Sequence, residues 1–535
     1  MKESTKGFLA IILHAHLPYV RHPDTTDFLE GIWLNETITE TYIPLLDVLN
    51  GLVADGIEFR IAVSLSPPLM AMLSDPILQQ RYIDHISRQI ELSEKEVQRT
   101  SWDSQIHPLA IMYRERFYHA REVFESRYGR NLLNGFAHLQ RSGAVELITS
   151  AATHGFLPLM DLVEESVSAQ IAVGVNSYRS HFNTEPAGFW LPECGFSPGV
   201  DQVLAQHGIK YTITDTHGVL HASPRPRYGV YAPIYCRSGV AVFGRDVESS
   251  KQVWSADEGY PGDFDYRDFY RDIGFDLDLE YVRPYIHRGT RVHTGIKYHR
   301  VTGKTDDKAV YNRQAALNKA MIHAGNFMFN RERQIEFLAS ILDRKPIVVA
   351  PYDAELFGHW WFEGPEWLDM LIRKSVSEQN IYTLITPSDY LRIYERNQVA
   401  TPSMSSWGYK GYCEVWLNET NDWIYRHLHR ASRQMVELAR KYRRADGLLR
   451  RALNQAAREL LLAQSSDWAF IMKTGTMVDY AVRRTRNHLG RFSELYSQIT
   501  QNRVDPEYVA HLEWKDAIFE NMDYSVYAPQ RVSAS

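Results

Sequence analysis

The chain has 535 residues, with 59 Lys and Arg against 65 Asp and Glu for a formal charge of −6, and it is 44 % hydrophobic, 23 % charged and 12 % aromatic. These proportions exclude disorder, collagen-like repeats and a coiled-coil rod, and the length allows about two to four domains. Mild acidity argues against a nucleic-acid partner, whereas abundant aromatic rings suit cores and sugar-stacking surfaces alike.

The chain starts Met1-Lys2-Glu3-Ser4-Thr5-Lys6 and continues into a short apolar run that stops at His14. Too short for a signal peptide, and with no small-residue cleavage site after it, the run reads as a buried first strand. Further strand-length apolar runs follow. The full set is Phe8–Leu13, Arg60–Leu65, Val145–Thr149, Gly188–Leu191, Lys210–Thr214, Val240–Phe243, Ile347–Ala350 and Ile381–Ile385. None alternates strictly, as expected for parallel strands buried on both faces. Helical patterns at Tyr42–Asp55, Ser197–His207 and Asp307–Asp343 separate several of them. Strands alternating with helices predict an α/β fold, with a barrel favoured over an open sheet. No glycine-rich nucleotide loop accompanies any strand.

Residues 76–143 are helical in pattern and read as an insertion within a catalytic domain of residues 1–400. After the linker Ala400-Thr401-Pro402-Ser403-Met404-Ser405-Ser406, helical stretches at Asp422–Tyr442, Gly447–Ser465 and Thr476–Ile499 predict a C-terminal helical domain, residues 401–535. The arginines of its first helix read as a solvated face. Cys194, Cys236 and Cys413 are too widely spaced for a disulfide framework or a metal site, which suits the cytoplasm. No run approaches the ~18 apolar residues of a membrane span.

Parallel barrels collect their reactive groups at the carboxyl ends of the strands. The residues just past each predicted strand are His14 and His16, Ser66, Thr153 and His154, Glu193, Asp215, Arg245 and Asp246, Asp353 and Glu355. Two chemistries compete for this set. One is a two-carboxylate glycosidase or transglycosylase site built on Glu193 and Asp353, each beside Trp or Tyr, with His14, His16 and His154 on sugar hydroxyls. The other is metal-dependent hydrolysis of the amidohydrolase kind, with His14-x-His16 and a late Asp as ligands. Against both stand a capping role for Glu193 and a structural role for the histidines.

Five segments bear on the choice: His14-Ala15-His16-Leu17-Pro18, Ala152-Thr153-His154-Gly155-Phe156-Leu157-Pro158, Trp190-Leu191-Pro192-Glu193-Cys194, Tyr352 through Trp360, and Leu461 through Trp468. In that order they resemble glycoside hydrolase family 57, and within it the 1,4-α-glucan branching enzymes. The resemblance implies an incomplete (β/α)7 barrel with an inserted helical subdomain and a C-terminal helical domain. It also implies Glu193 as nucleophile, Asp353 as acid/base, His14, His16 and His154 around the donor sugar, and no metal or other cofactor. Trp407 and Trp416 look like an aromatic platform for the glucan, joined as substrate contacts by Trp360 and Asp467. The stretch from Tyr228 to Arg237 reads as a mobile loop, with Tyr235 at its tip near the catalytic centre and Tyr231 as a rival. Phe275 stands where other members carry Trp.

The implied activity is cleavage of α-1,4 links and formation of α-1,6 branches by a retaining route, with amylose and glycogen as substrates. An α-amylase or 4-α-glucanotransferase on the same scaffold is the alternative. A non-catalytic glucan-binding protein and a metal-dependent amidohydrolase are more remote.

Overall fold

A computed structural model describes residues 5–25, 29–255 and 258–528; the start at residues 1–4 lies outside them. All eight predicted strands are present. They are β1 (Gly7–Ala15), β2 (Ile61–Leu65), β3 (Val145–Ser150), β4 (Gly188–Trp190), β5 (Tyr211–Thr214), β7 (Ala241–Gly244), β8 (Ile347–Asp353) and β9 (Tyr382–Leu384). The two-residue β6 (Ile234–Tyr235) is an addition. Seven strands run parallel in the order β7-β5-β4-β3-β2-β1-β8, and β9 borders only Gly7–Leu9 of β1, which makes it the peripheral one. The sheet curls into an incomplete barrel. Among the described residues one backbone bond ties the chain just past β7 to β8, from Asp246 N–H to the Val349 carbonyl at 2.9 Å, and β6 covers β7 on its outer edge, antiparallel.

The alternation of side chains along a strand decides what reaches the mouth of the barrel. Phe8, Ala10 and Ile12 of β1 point inward and meet Ala62, Ile148, Trp190, Tyr211, Ile213, Phe243 and Val349 in one interior cluster. Leu9, Ile11 and Leu13 point outward into a second cluster shared with the surrounding helices. Continuing the inward set by two residues at a time delivers His14 and His16 from β1, Ser64 and Ser66 from β2, Arg245 from β7 and Asp353 from β8. Gly188 opens β4 because Tyr211 fills the space: a Cβ there would lie 2.3 Å from the Tyr211 ring.

Between β2 and β3 stand the helices Pro76–Arg99, His107–Glu122 and Leu133–Ser142, whose apolar faces join the outer cluster. The C-terminal part comprises the helices Trp423–Lys441, Gly447–Ala463, Ser466–Thr474, Val478–Thr500 and Pro506–Lys515; four of them share a cluster with Ala152, Val163, Ala169 and Val173, whereas Trp468, Ala469, Ile471 and Met472 of Ser466–Thr474 join the outer cluster. Arg426, Arg430, Arg433 and Arg440 of the first of these helices are exposed, as expected of a solvated face. Among the described residues, no helix is long and apolar enough to cross a membrane.

The gap between β7 and β8 is backed by a buried ionic contact. Arg331, from the long helix Arg313–Ile341, is fully buried and donates to Asp246 Oδ2 at 3.2 Å, while Gln334 donates to Oδ1 at 2.8 Å. Removing one partner of such a pair leaves an uncompensated buried charge. Arg331→Met is expected to lower unfolding free energy by about 3–5 kcal/mol, read as a lower urea midpoint at unchanged slope.

Candidate active site

Glu193 occupies a tight turn after β4, Pro192–Cys194, in which the backbone of Glu193 itself is left-handed (φ 61°, ψ 24°). His154 (φ 54°) and Cys194 (φ 52°) share that conformation. For residues with a Cβ it costs of order 1 kcal/mol each and persists only where surrounding contacts impose it. Here Trp407 supplies two of them: its backbone N–H donates to the Glu193 carbonyl at 3.0 Å, and its indole Nε1–H donates to Oε2 at 2.8 Å. Ser466 donates to Oε1 at 3.4 Å.

Behind Glu193 two of the three histidines, His14 and His154, form a bonded chain. His14 Nδ1 meets Ser64 Oγ at 3.1 Å, His14 Nε2 meets His154 Nε2 at 3.0 Å, and His154 Nδ1 meets Ser466 Oγ at 3.0 Å. Burial holds both His14 and His154 well below the ordinary imidazole range, so both rings are neutral. One proton then lies between the two Nε2 atoms, and the acceptor at the far end fixes its owner. If Ser466 donates to Glu193, His154 must donate through Nδ1 and accept at Nε2 from His14. Every hydrogen in the chain thus points toward Glu193. Beneath this chain Trp190 stacks on His14 at 4.6 Å, with the planes 14° apart.

His16 differs. It stacks on His154 at 3.8 Å, bonds Ser66 Oγ at 2.8 Å and faces both Asp467 oxygens at 3.1 and 3.2 Å. Burial disfavours its charge, but the Asp467 carboxylate outweighs that with help from Glu355 and Glu193, and the imidazole is raised. Burial likewise works against Asp467, and His16 still holds it below the ordinary carboxylate range. The two form an ion pair beside Glu193.

Asp353 ends β8 directly opposite His14 in the strand register. No hydrogen bond engages its carboxyl among the described residues, and it lines an open cavity of about 980 Å³. Burial, reinforced by the negative charges of Glu355 and Glu193 and only partly offset by Arg245, pushes it well above the ordinary carboxylate range. Glu193 is raised to about 7, chiefly by burial, with the bond from Trp407 pulling the other way. A third carboxyl, Glu355, also sits at about 7 because it is buried, although Tyr42 OH (2.6 Å) and the His16 N–H (3.1 Å) both donate to it. Two carboxyls whose environments separate their proton affinities can divide acid and nucleophile roles.

The structure therefore brings together Glu193, Asp353, His14, His16, His154, Trp407 and Asp467. Trp360, half exposed, lines the cavity that Asp353 enters. Two residues fall elsewhere. Trp416 is 1 % exposed, stacked on Phe156 at 4.2 Å, and so presents no free face to a glucan. Tyr235 is not a loop tip: it lies in β6 opposite Ala241, the first residue of β7, and its backbone bonds Gln398 and Ala400. That is the amino end of the barrel, remote from the carboxyls. The rival Tyr231 is there too, its carbonyl accepting from Ile347, the first residue of β8. Of the other strand-end polar residues, Asp215 and Asp246 cap helices, and Thr153 bonds the Leu461 carbonyl and the Gln170 side chain.

Residues given no role by the sequence also matter here. Ser64 was recognisable as a polar inward position in the apolar strand Ile-Ala-Val-Ser-Leu. Ser466 was not, because its partner His154 is 312 residues away. The competing metal reading needs ring nitrogens converging on one ion, whereas serines, His154 and Asp467 occupy those of His14 and His16.

The bond from Trp407 to Glu193 gives a direct test. Trp407→Phe removes a donor to a charged acceptor, so kcat is expected to drop about ten- to hundredfold. The acidic limb of the pH profile should move to higher pH, because this bond lowers the Glu193 affinity for protons.

Residues 10–405 match the family model described as glycosyl hydrolase family 57, and residues 427–527 match that of the 1,4-alpha-glucan branching enzyme C-terminal region. A 1,4-alpha-glucan branching enzyme of Thermococcus kodakarensis is 32 % identical over 98 % of this chain and 79 % of its own length. Among solved structures, the alpha-amylase AmyC from Thermotoga maritima is 48 % identical, with TM-score 0.92 and coverage of 98 % of this chain and 100 % of that one. The branching enzyme of Pyrococcus horikoshii is 32 % identical, with TM-score 0.88 and coverage of 98 % of each chain.

Proposed function

The chain belongs to glycosyl hydrolase family 57, and from that premise we propose that it is a 1,4-α-glucan branching enzyme working by a retaining transglycosylation on glycogen-type glucans in the cytoplasm. The observation that carries this reading is the origin of Ser466 and Asp467. Both enter the Glu193 site from the C-terminal helical part, which matches the branching-enzyme C-terminal model. In the proposed division, residues 1–400 form the catalytic barrel with 76–143 inserted, and 401–535 complete its site.

Glu193 attacks the anomeric carbon of an α-1,4 link while Asp353 transfers its proton to the departing glycosidic oxygen. The glycosyl group is then an ester of Glu193. Asp353, now ionised, takes the proton of an acceptor 6-hydroxyl as that oxygen attacks the same carbon and frees Glu193, closing an α-1,6 branch. Water in place of the 6-hydroxyl gives hydrolysis. The first step needs Glu193 ionised and Asp353 protonated. Activity should therefore rise with pH through about 7 as Glu193 loses its proton, and fall where Asp353, pushed well above the ordinary carboxylate range by burial, loses its own.

The similarity to AmyC favours a second reading, α-amylase. Incubation with amylose separates them. New α-1,6 linkages with few new reducing ends support branching; reducing ends without branches establish the amylase.

A further inference from the structure

The donor-side residues and the cavity beside Asp353 occupy opposite flanks of the barrel mouth. His14, His16, His154, Ser466, Asp467 and Trp407 surround Glu193, and none of them lines the cavity. Its walls come instead from the irregular stretch between β7 and the helix Arg313–Ile341, together with Trp360. Four large rings stand open on it: Trp254 (45 % exposed), Phe264 (59 %), Tyr270 (76 %) and Trp360 (52 %). Trp360 is backed by Phe269, stacked at 4.4 Å and 26°, and Phe269 in turn lies under the Lys297 ammonium at 4.2 Å. Exposed rings gathered on one concave surface mark a binding site, since solvent contact with so much apolar area is unfavourable. At about 980 Å³ the cavity is at the upper end of small-ligand sites, roughly 300–1,000 Å³, with room for several sugar units.

We propose that this groove holds the chain on the acceptor side: first the departing glucan, then the glucan whose 6-hydroxyl is glycosylated. The occupant follows from Asp353. An acid/base carboxyl stands on the side of the leaving oxygen, and Asp353 is the catalytic carboxyl that opens into the groove. The rings offer flat apolar faces to the C–H faces of successive glucose units. Around them Arg271, Lys304, Asp306 and Lys308 supply donors and acceptors to the hydroxyl edges. The inference rests on the glucan-transfer reading above and assigns Trp254, Phe264 and Tyr270 to it.

Phe264→Ala and Tyr270→Ala, separately and together, test the groove. Each is expected to raise the KM for amylose about three- to tenfold and to lower the ratio of new branches to new reducing ends. The effect should be smaller on a short nitrophenyl maltoside, whose aglycone spans a single position. Trp102→Ala, a still more exposed ring on the helical insertion, should change neither. Wild-type KM and branch ratio in the double variant would overturn the groove while leaving branching intact. If the unaltered enzyme yields only reducing ends, the branching reading falls. The groove then stands or falls on the amylose KM, since it still holds the leaving chain.

Discussion

Glu193→Gln is expected to remove transfer and hydrolysis together, by roughly 10⁴–10⁶-fold in kcat. The amide keeps the shape of the carboxyl and can still accept from Trp407, so the loss reports the missing nucleophile and not a collapsed turn. Glu193→Ala with added azide makes the assignment stereochemical. Azide entering from the vacated face displaces the leaving chain once and yields the β-glycosyl azide. Glu193→Gln should also stabilise the fold, because the carboxyl it replaces is buried. Its folded-state affinity for protons is raised, to about 7 against an ordinary 4.5. Stability that is full below the unfolded value is thus lost as pH climbs through 7. Replacing the group with a neutral amide should recover up to about 3 kcal/mol at pH 8 and almost nothing at pH 4. A dead enzyme that melts higher only at neutral and alkaline pH is the expected signature. Full activity in Glu193→Gln would remove Glu193 from the site.

How much of this was legible in the sequence depended on the range of the interaction concerned. Strands buried on both faces announce themselves as short apolar runs, so eight of them were visible. The two residues of β6 were not, because Ile234 and Tyr235 are held by Ala241, Val242 and Gln398 and not by any local pattern. The stretch from Tyr228 to Arg237 reads as a mobile loop, and these remote pairings turn its end into an edge strand. Trp407 and Trp416, nine positions apart, looked equivalent. Phe156 and Gly408 bury the second, whereas the Glu193 carboxylate claims the indole N–H of the first. Side-chain alternation would have carried His14 and His16 to the mouth once β1 was recognised. Yet the orientation of the His14 proton depends, through His154, on Ser466, on a helix absent from the expected set. The helix Ser466–Thr474 follows directly after Gln464 and Ser465 break the preceding one. That break brings Ser466 and Asp467 to the histidines.

Asp353→Asn is the second large effect, and it discriminates between two candidate acids. Glu355 shares the mouth of the barrel and is also buried and raised. Its Oε1 is already bonded by Tyr42 and the His16 N–H, and those donors favour the ionised form. Asp353 has no such donors and opens to the groove, which suits a group that must hand a proton to a sugar oxygen. Asp353→Asn should lower kcat/KM on amylose about 10²–10⁴-fold. A nitrophenyl maltoside, whose leaving group needs little protonation, should still glycosylate Glu193 at a substantial rate. Without a base for the second step the glycosyl-enzyme accumulates, visible as a nitrophenol burst and as a mass increment on the peptide containing Glu193. The alkaline limb of the pH profile should vanish, because the group that imposed it is gone. In Asp353→Ala, azide needs no base, attacks the glycosyl-enzyme and yields the α-glycosyl azide, opposite in configuration to the product of the Glu193 variant. Were Glu355→Ala to give that α-azide and Asp353→Ala none, the acid/base would be Glu355. Its two hydrogen bonds would then have to be rearranged on substrate binding.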